Sequence, residues 1–227
     1  MSTIQTRVSS LQNGQRLDRA EFHERYAAMP SGTRAELIEG IVRMPSPLSN
    51  DHGEANFPLV VWLDHYLEKT PGLRGAINAS TLLDDRAEPQ PDVLVRIPAE
   101  SGGSSRLENG FIVGPPELVV EIARASRATD LGSKKTDYER AGVAEYLVVE
   151  LEPDRIHWFA LRQGRFQVIA PGADGISRSE IFPGLWLDAD ALFHNDRARL
   201  RAVVDQGVAT AEHARFEARL RNFPGGL

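Results

Sequence analysis

The sequence predicts an α/β fold: a mixed β-sheet flanked by helices, with an added β-hairpin and a C-terminal helical tail. Three observations predict it. Helical and strand-like apolar periodicities alternate along the chain. "AEYLVVEL", residues 144–151, is a nearly continuous apolar run, as expected of a central strand covered on both faces. Residues 155–171 alternate in polarity and turn at Gln163-Gly164, so neighbouring strands run in mixed directions.

Each element follows from its own residues. "LDRAEFHERYAAM" (17–29) has apolar residues at helical spacing and Asp18 in the cap region, and "PSGT" breaks it. "RAELIEGIVRMP" (34–45) reads as a hairpin turning near Glu39 and Gly40. A helix is expected from about Ser49 to Asp51, with Leu59, Trp62, Leu63 and Tyr66 or Leu67 on its apolar face and Gly72 past its end. Pro58 is expected to delay its start or kink it. "GAINASTLLDD" (75–85), "PDVLVRIP" (91–98) and "ELVVEIA" (117–123) read as strands, the last after a loop, "AESGGSSRLENG" (99–110), expected to be flexible and exposed. "TDLGSKKTDYERAG" (129–142) is a helix ending at Gly142. "SEIFPGLWLDADALF" (179–193) closes the domain as a short strand and a turn. Residues 195–223 are helical, with Leu200, Val203, Val204, Val208 and Ala211 along one side.

Bulk properties bound the function. The 227 residues carry no cysteine, which excludes disulfides and thiolate metal sites and fits a reducing compartment. The N-terminus has no apolar signal core and no run approaches a membrane span, so a cytoplasmic protein without membrane contact is expected. A net charge of −6 argues against a broad nucleic-acid-coating face but leaves room for a local basic channel. Phosphate-loop, HExxH and GxSxG motifs are absent from the sequence, and the histidines lack zinc spacing.

Two acids stand out. Asp92 follows Pro91 at the start of one strand, and Glu121 lies at the end of another. An acid in an apolar strand needs a partner. If adjacent strands bring the two to one edge, they repel unless a cation sits between them, and hard carboxylate oxygens suit Mg²⁺ or Mn²⁺. Asp92 alone serves equally well as a turn residue. Lys134 and Tyr138, four apart, share a face of the next helix, while Lys135 turns roughly 100° away; Lys134 is therefore the candidate cation beside the site. Glu36 is balanced between a cleft residue and a hairpin-edge charge, and Glu39 is weaker. His52 opens the first long helix, where a capping or solvated role competes with an approach to substrate phosphate. Asp130 is expected to cap the lysine helix, Tyr138 to pack in the core, and Glu145 and Glu150 to be structural or exposed. Arg197, Arg199, Arg201, Arg215, Arg219 and Arg221 alternate with acids and read as a solvated helix face or partner contact rather than a DNA surface.

Acid, acid and lysine in this order resemble the PD-(D/E)xK nuclease superfamily, with Pro91-Asp92 as "PD" and Glu121 as the second acid. More closely, "AELIEGIVRMPSP", "QPDVLV", "PPELVVEIA", "TDLGSKKTDYERAGVAEYLVV" and "FPGLWLD" resemble the bacterial Uma-two family of restriction-endonuclease-like proteins, over roughly residues 20–193. The resemblance implies a restriction-endonuclease-like fold and metal-dependent hydrolysis of DNA phosphodiesters. Asp92, Glu121 and Lys134 would be catalytic. Asp92, Glu121 and the Ile122 backbone carbonyl would hold Mg²⁺ or Mn²⁺, with Glu36 and His52 near the cleft. Ala123 departs from the motif, which places lysine there, and implies that Lys134 takes over from the helix. The implied organisation is a flexible N-terminus (1–16), a nuclease-like domain (17–193) and a helical tail (194–227). Cleaving a duplex implies a homodimer, with the tail as a candidate contact. A catalytically inactive nucleic-acid- or protein-binding module on the same fold is the alternative; action on RNA or transposon intermediates is a third.

Overall fold

The computed structural model describes residues 10–45 and 50–223. In chain order the elements are α1 (Arg19–Ala27), β1 (Glu36–Ile38), β2 (Ile41–Arg43), α2 (Asn50–Lys69), β3 (Arg74–Ile77), β4 (Thr81–Leu82), β5 (Val93–Arg96), β6 (Arg106–Glu108), β7 (Phe111–Val113) and β8 (Leu118–Ala123). Then come α3 (Arg127–Thr129), a π-helical turn (Asp130–Lys134), α4 (Lys135–Ala141), β9 (Glu145–Leu151), β10 (Asp154–Arg162), β11 (Arg165–Val168), β12 (Ile176–Arg178), β13 (Trp186–Asp188), α5 (Ala189–Phe193), α6 (Arg197–Val208) and α7 (Ala211–Arg221).

A six-stranded mixed sheet, ordered β11-β10-β9-β8-β5-β3, is the centre of the molecule. Within this sheet, among the described residues, β8 and β9 are the one parallel pair; the α3–π–α4 segment makes the crossover between them. Alternation along the strands builds two cores. Val93, Val95, Leu118, Val120, Ile122, Leu147 and Val149 point to one face, where they meet α2 (Trp62, Tyr66), α6 (Leu200, Val204) and α7 (Phe216, Leu220). Leu94, Val119, Ala123, Tyr146 and Val148 point to the other, where they meet Tyr138 of α4. β9 is thus the doubly covered strand that its apolar run predicts. A smaller cluster of Leu11, Phe22, Ala35, Leu37 and Val42 packs α1 on the β1–β2 hairpin.

Local signals explain most boundaries. The Asp18 carboxylate accepts from the Glu21 amide at 2.9 Å and caps α1. The hairpins turn where two successive residues have positive φ: Glu39-Gly40 (51° and 74°) and Gln163-Gly164 (52° and 74°), as two-residue hairpin loops require. Among the described residues no helix is long and apolar enough to cross a membrane.

Several expectations change. Ser49 lies outside the described residues; α2 is helical from Asn50, so Pro58 does not delay its start. "GAINASTLLDD" divides between two sheets at Asn78, whose φ is 52°: β3 joins the main sheet and β4 pairs with β7. The loop expected to be flexible holds a 3₁₀ turn (Ala99–Ser101) and the β6–β7 hairpin, which reverses at Asn109-Gly110. Glu117 pins this segment, accepting from the amides of Ile97 (2.6 Å) and Ser104 (2.9 Å). Residues 1–9 of the segment expected to be flexible lie outside the described residues; of the rest, Leu11 is buried and Arg16 bridges to Ile41. The tail is two helices, because Thr210 caps α7. Its buried residues there are His213, Phe216 and Leu220, while Ala211 is exposed. Its apolar side completes the main core. Arg199 pairs with Asp188 and Arg221 with Glu217, as a solvated face does.

Candidate active site

The site is built by strand register. β5 and β8 are antiparallel with Val93 opposite Val120; one step further sets Asp92, at the mouth of β5, across from Glu121. Both lie on the face that carries Leu94 and Val119, under the α3–π–α4 segment. The Ile122 amide donates to Asp92 Oδ2 at 2.8 Å and fixes that carboxylate across the strand gap. Asp92 Oδ1 lies 3.1 Å from Nε2 of His52, which α2 brings in from its first turn. His52 is therefore a site residue in contact with Asp92 rather than a solvated cap.

The helix supplies the cation. Lys134 closes the π-turn, and its Nζ is 3.0 Å from Glu121 Oε1, 2.9 Å from Glu36 Oε1 and 4.0 Å from Asp130 Oδ1. Tyr138 donates its hydroxyl to the same Glu121 Oε1 at 2.8 Å. Lys135 faces the other way, 3.9 Å above the Phe159 ring. Glu36, from β1, also accepts from the Gln90 amide at 2.7 Å, so both neighbours lock it into the cleft. Glu39 does not join; its amide binds Asp137 in the hairpin turn. Asp130 does not cap a helix. Its side chain is buried one turn from Lys134, because the π-turn carries it inward.

A cleft of about 530 Å³ opens over these groups. Its floor holds Glu36, Asp92, Glu121, Asp130 and Lys134; Gln90 and His52 lie at its side, and Arg34, Arg43 and Arg124 line its walls. Arg34 donates to Asn78 at 2.8 Å, and Arg124 pairs with Glu152 at 2.6 Å. Sequence spacing carries no sign of these arginines or of Gln90; Asp130 carries one signal, its position four before Lys134. Glu145 and Glu150 stand apart. Glu145 is buried at the far end of β9, held by Trp158, Ser179 and the amides of Glu180 and Ile181. Glu150 binds Arg127 and His157.

Charge is out of balance here. Three carboxylates, Glu121, Glu36 and Asp130, share one ammonium within 4.0 Å, and Asp92 adds a fourth acid to the cleft. Burial pushes the Glu121 carboxyl well above its ordinary range; Asp130, Asp92 and Glu36 push it further, and Lys134 opposes them. Burial raises Asp130 to about 6. For Lys134, burial works against the charge, yet Glu121, Glu36 and Asp130 hold its pKa above the ordinary lysine value.

Such a floor suits a hard divalent cation. Glu121 Oε2 accepts no hydrogen bond among the described residues and is not sealed from the cleft. Asp92 lies across from it. Among the described residues no three imidazole or carboxylate groups form a ready-made shell; an ion between Asp92 and Glu121 would need main-chain or water oxygens to complete its shell, as Mg²⁺ accepts.

The model of the Uma2 family, described as "Putative restriction endonuclease", matches residues 19–190. No curated protein matches. Among solved structures, "a putative nuclease belonging to DUF820 from Anabaena variabilis" superposes with a TM-score of 0.59 at 16% identity, covering 75% of this chain and 96% of that one. At that identity the likeness is one of fold.

Proposed function

The chain belongs to the Uma2 family, and from that premise we propose that it is a metal-dependent endonuclease hydrolysing DNA phosphodiester bonds. The observation that carries the reading is the opposition of Asp92 and Glu121 on adjacent strands, under a lysine that touches Glu121. Asp92 and Glu121 hold Mg²⁺ or Mn²⁺, with the Ile122 carbonyl as a further oxygen. A bound ion would supply Lewis acidity toward a phosphoryl oxygen and toward water. Asp92 is oriented for this by the Ile122 amide and His52. Lys134 keeps its proton, so it places positive charge where charge develops on the phosphate and orients the attacking water without accepting its proton. Glu36 holds the ammonium in place. Arg34, Arg43 and Arg124 meet flanking phosphates. Cleavage of both strands uses a homodimer.

A nuclease-fold binding module is the second reading, favoured by the lack of a three-group metal shell among the described residues. Purified protein incubated with plasmid and oligonucleotides in Mg²⁺, Mn²⁺ or EDTA separates the two. Metal-dependent cleavage that disappears in Asp92→Ala is expected. No cleavage of any substrate, with no metal binding by calorimetry, overturns the enzyme reading.

A further inference from the structure

We propose that Tyr138 is a positioning residue of this site: with Lys134 it holds Oε1 of Glu121, so that Oε2 is the oxygen offered to a divalent cation in the cleft. The inference rests on the metal-site reading above and assigns a role to a side chain otherwise placed in the core.

The ring and the hydroxyl of Tyr138 do different things. The ring is fully buried in the apolar cluster with Leu94, Val119, Val143 and Tyr146, and lies 5.0 Å from the Tyr146 ring between centroids. Packing alone would be satisfied by phenylalanine. The hydroxyl points out of that cluster to Glu121 Oε1 at 2.8 Å. Lys134 Nζ donates to the same oxygen at 3.0 Å. Both donors therefore meet one oxygen, and the other has no hydrogen-bond partner among the described residues. The terminal torsion of a glutamate is broad and nearly two-fold; two donors on one side select a single orientation. Tyr146 is a natural control. It is as buried as Tyr138, but its hydroxyl goes to the Asp130 main-chain carbonyl at 2.9 Å.

A partner one shell out from a metal typically changes metal affinity by about 10–100-fold when removed. The test compares wild type, Tyr138→Phe, Tyr146→Phe and Glu121→Gln for Mn²⁺ binding by calorimetry and electron paramagnetic resonance, with thermal unfolding in EDTA alongside. Tyr138→Phe is expected to bind Mn²⁺ about 10-fold or more weakly while remaining folded. p-Aminophenylalanine placed at position 138 keeps a donor and is expected to restore affinity. Tyr146→Phe is expected to lose stability without losing affinity. If wild type binds and Glu121→Gln does not, but Tyr138→Phe binds like wild type, the positioning role is wrong and the metal site stands. If wild type does not bind, or Glu121→Gln binds as well, the metal site fails and the positioning role with it. If Tyr138→Phe unfolds while Tyr146→Phe folds, the hydroxyl serves folding and the proposal is overturned.

Discussion

Glu121→Gln should make the metal-free protein more stable while abolishing its response to metal. Glutamine keeps the length of the side chain and a carbonyl oxygen to accept from Lys134 and Tyr138. It removes a negative charge that is buried beside Asp92, Asp130 and Glu36. Lys134 retains Glu36 and Asp130 within 4.0 Å, so it is not left unpaired. Relief of active-site repulsion of this kind is worth about 1–2 kcal/mol, or a rise in Tm of about 2–8 °C for a chain of this size. The sign with pH follows from the raised pKa of Glu121. Below its ordinary value of 4.5 the carboxyl is neutral folded and unfolded, and the substitution gains little. As pH rises toward the folded-state value, the unfolded chain releases its proton first and wild type loses stability; the glutamine variant does not. The gap should therefore widen from pH 5 to pH 8. Metal reverses the order. At a hundred times its dissociation constant, Mg²⁺ should stabilise wild type by about 2.7 kcal/mol and leave the variant unchanged. Urea denaturation in EDTA and in Mg²⁺, at pH 5 and pH 8, measures all four states. A variant less stable than wild type at pH 8 in EDTA would show that the Lys134 ion pair outweighs the repulsion, and would refute the charge argument.

Other substitutions probe the remaining elements. Lys134→Met strips the acids of their ammonium and should cost about 3–5 kcal/mol, more at pH 8 than at pH 5, because the carboxyls protonate as pH falls; chemical denaturation at the two values checks it. Glu145 is pushed to about 7 by burial, against the pull of its four donors, so its contribution is fully present below pH 4.5 and lost as pH rises through 7. The change amounts to about 3 kcal/mol at 1.36 kcal/mol per pH unit, and Glu145→Gln should flatten that part of the stability curve between pH 5 and pH 8. Gly207→Ala should destabilise by about 1–3 kcal/mol, since a Cβ there would lie 2.3 Å from the Gly184 carbonyl oxygen; an unchanged Tm would mean that α6 is not part of the core.

What the sequence made legible was whatever depends on period and register. Alternation in "PDVLVRIP" and "ELVVEIA" fixes which side chains share a face; that the two strands are neighbours, which brings Asp92 opposite Glu121, is a matter of tertiary pairing. Helical rotation separates Lys134 from Lys135 correctly. The misses have a common physical origin, in that they depend on contacts between distant segments. Asp130 reads as a cap because a π-turn leaves no mark in periodicity. The wall arginines come to the cleft from the hairpin and a strand exit, and nothing local records that convergence. The β6–β7 hairpin is short and largely exposed, so it lacks the apolar alternation that announces a strand. The tail hides its second buried face, His213-Phe216-Leu220, in a sequence crowded with arginine.

Ala123 gains a meaning from the architecture. It is fully buried, in the same cluster as Tyr138 and the flank of Leu131. A small side chain there fits the close packing of the strand against the helix layer that carries Lys134. A long side chain rising from the strand at 123 would meet that helix. Lysine on the strand and lysine on the helix are thus competing occupants of one space.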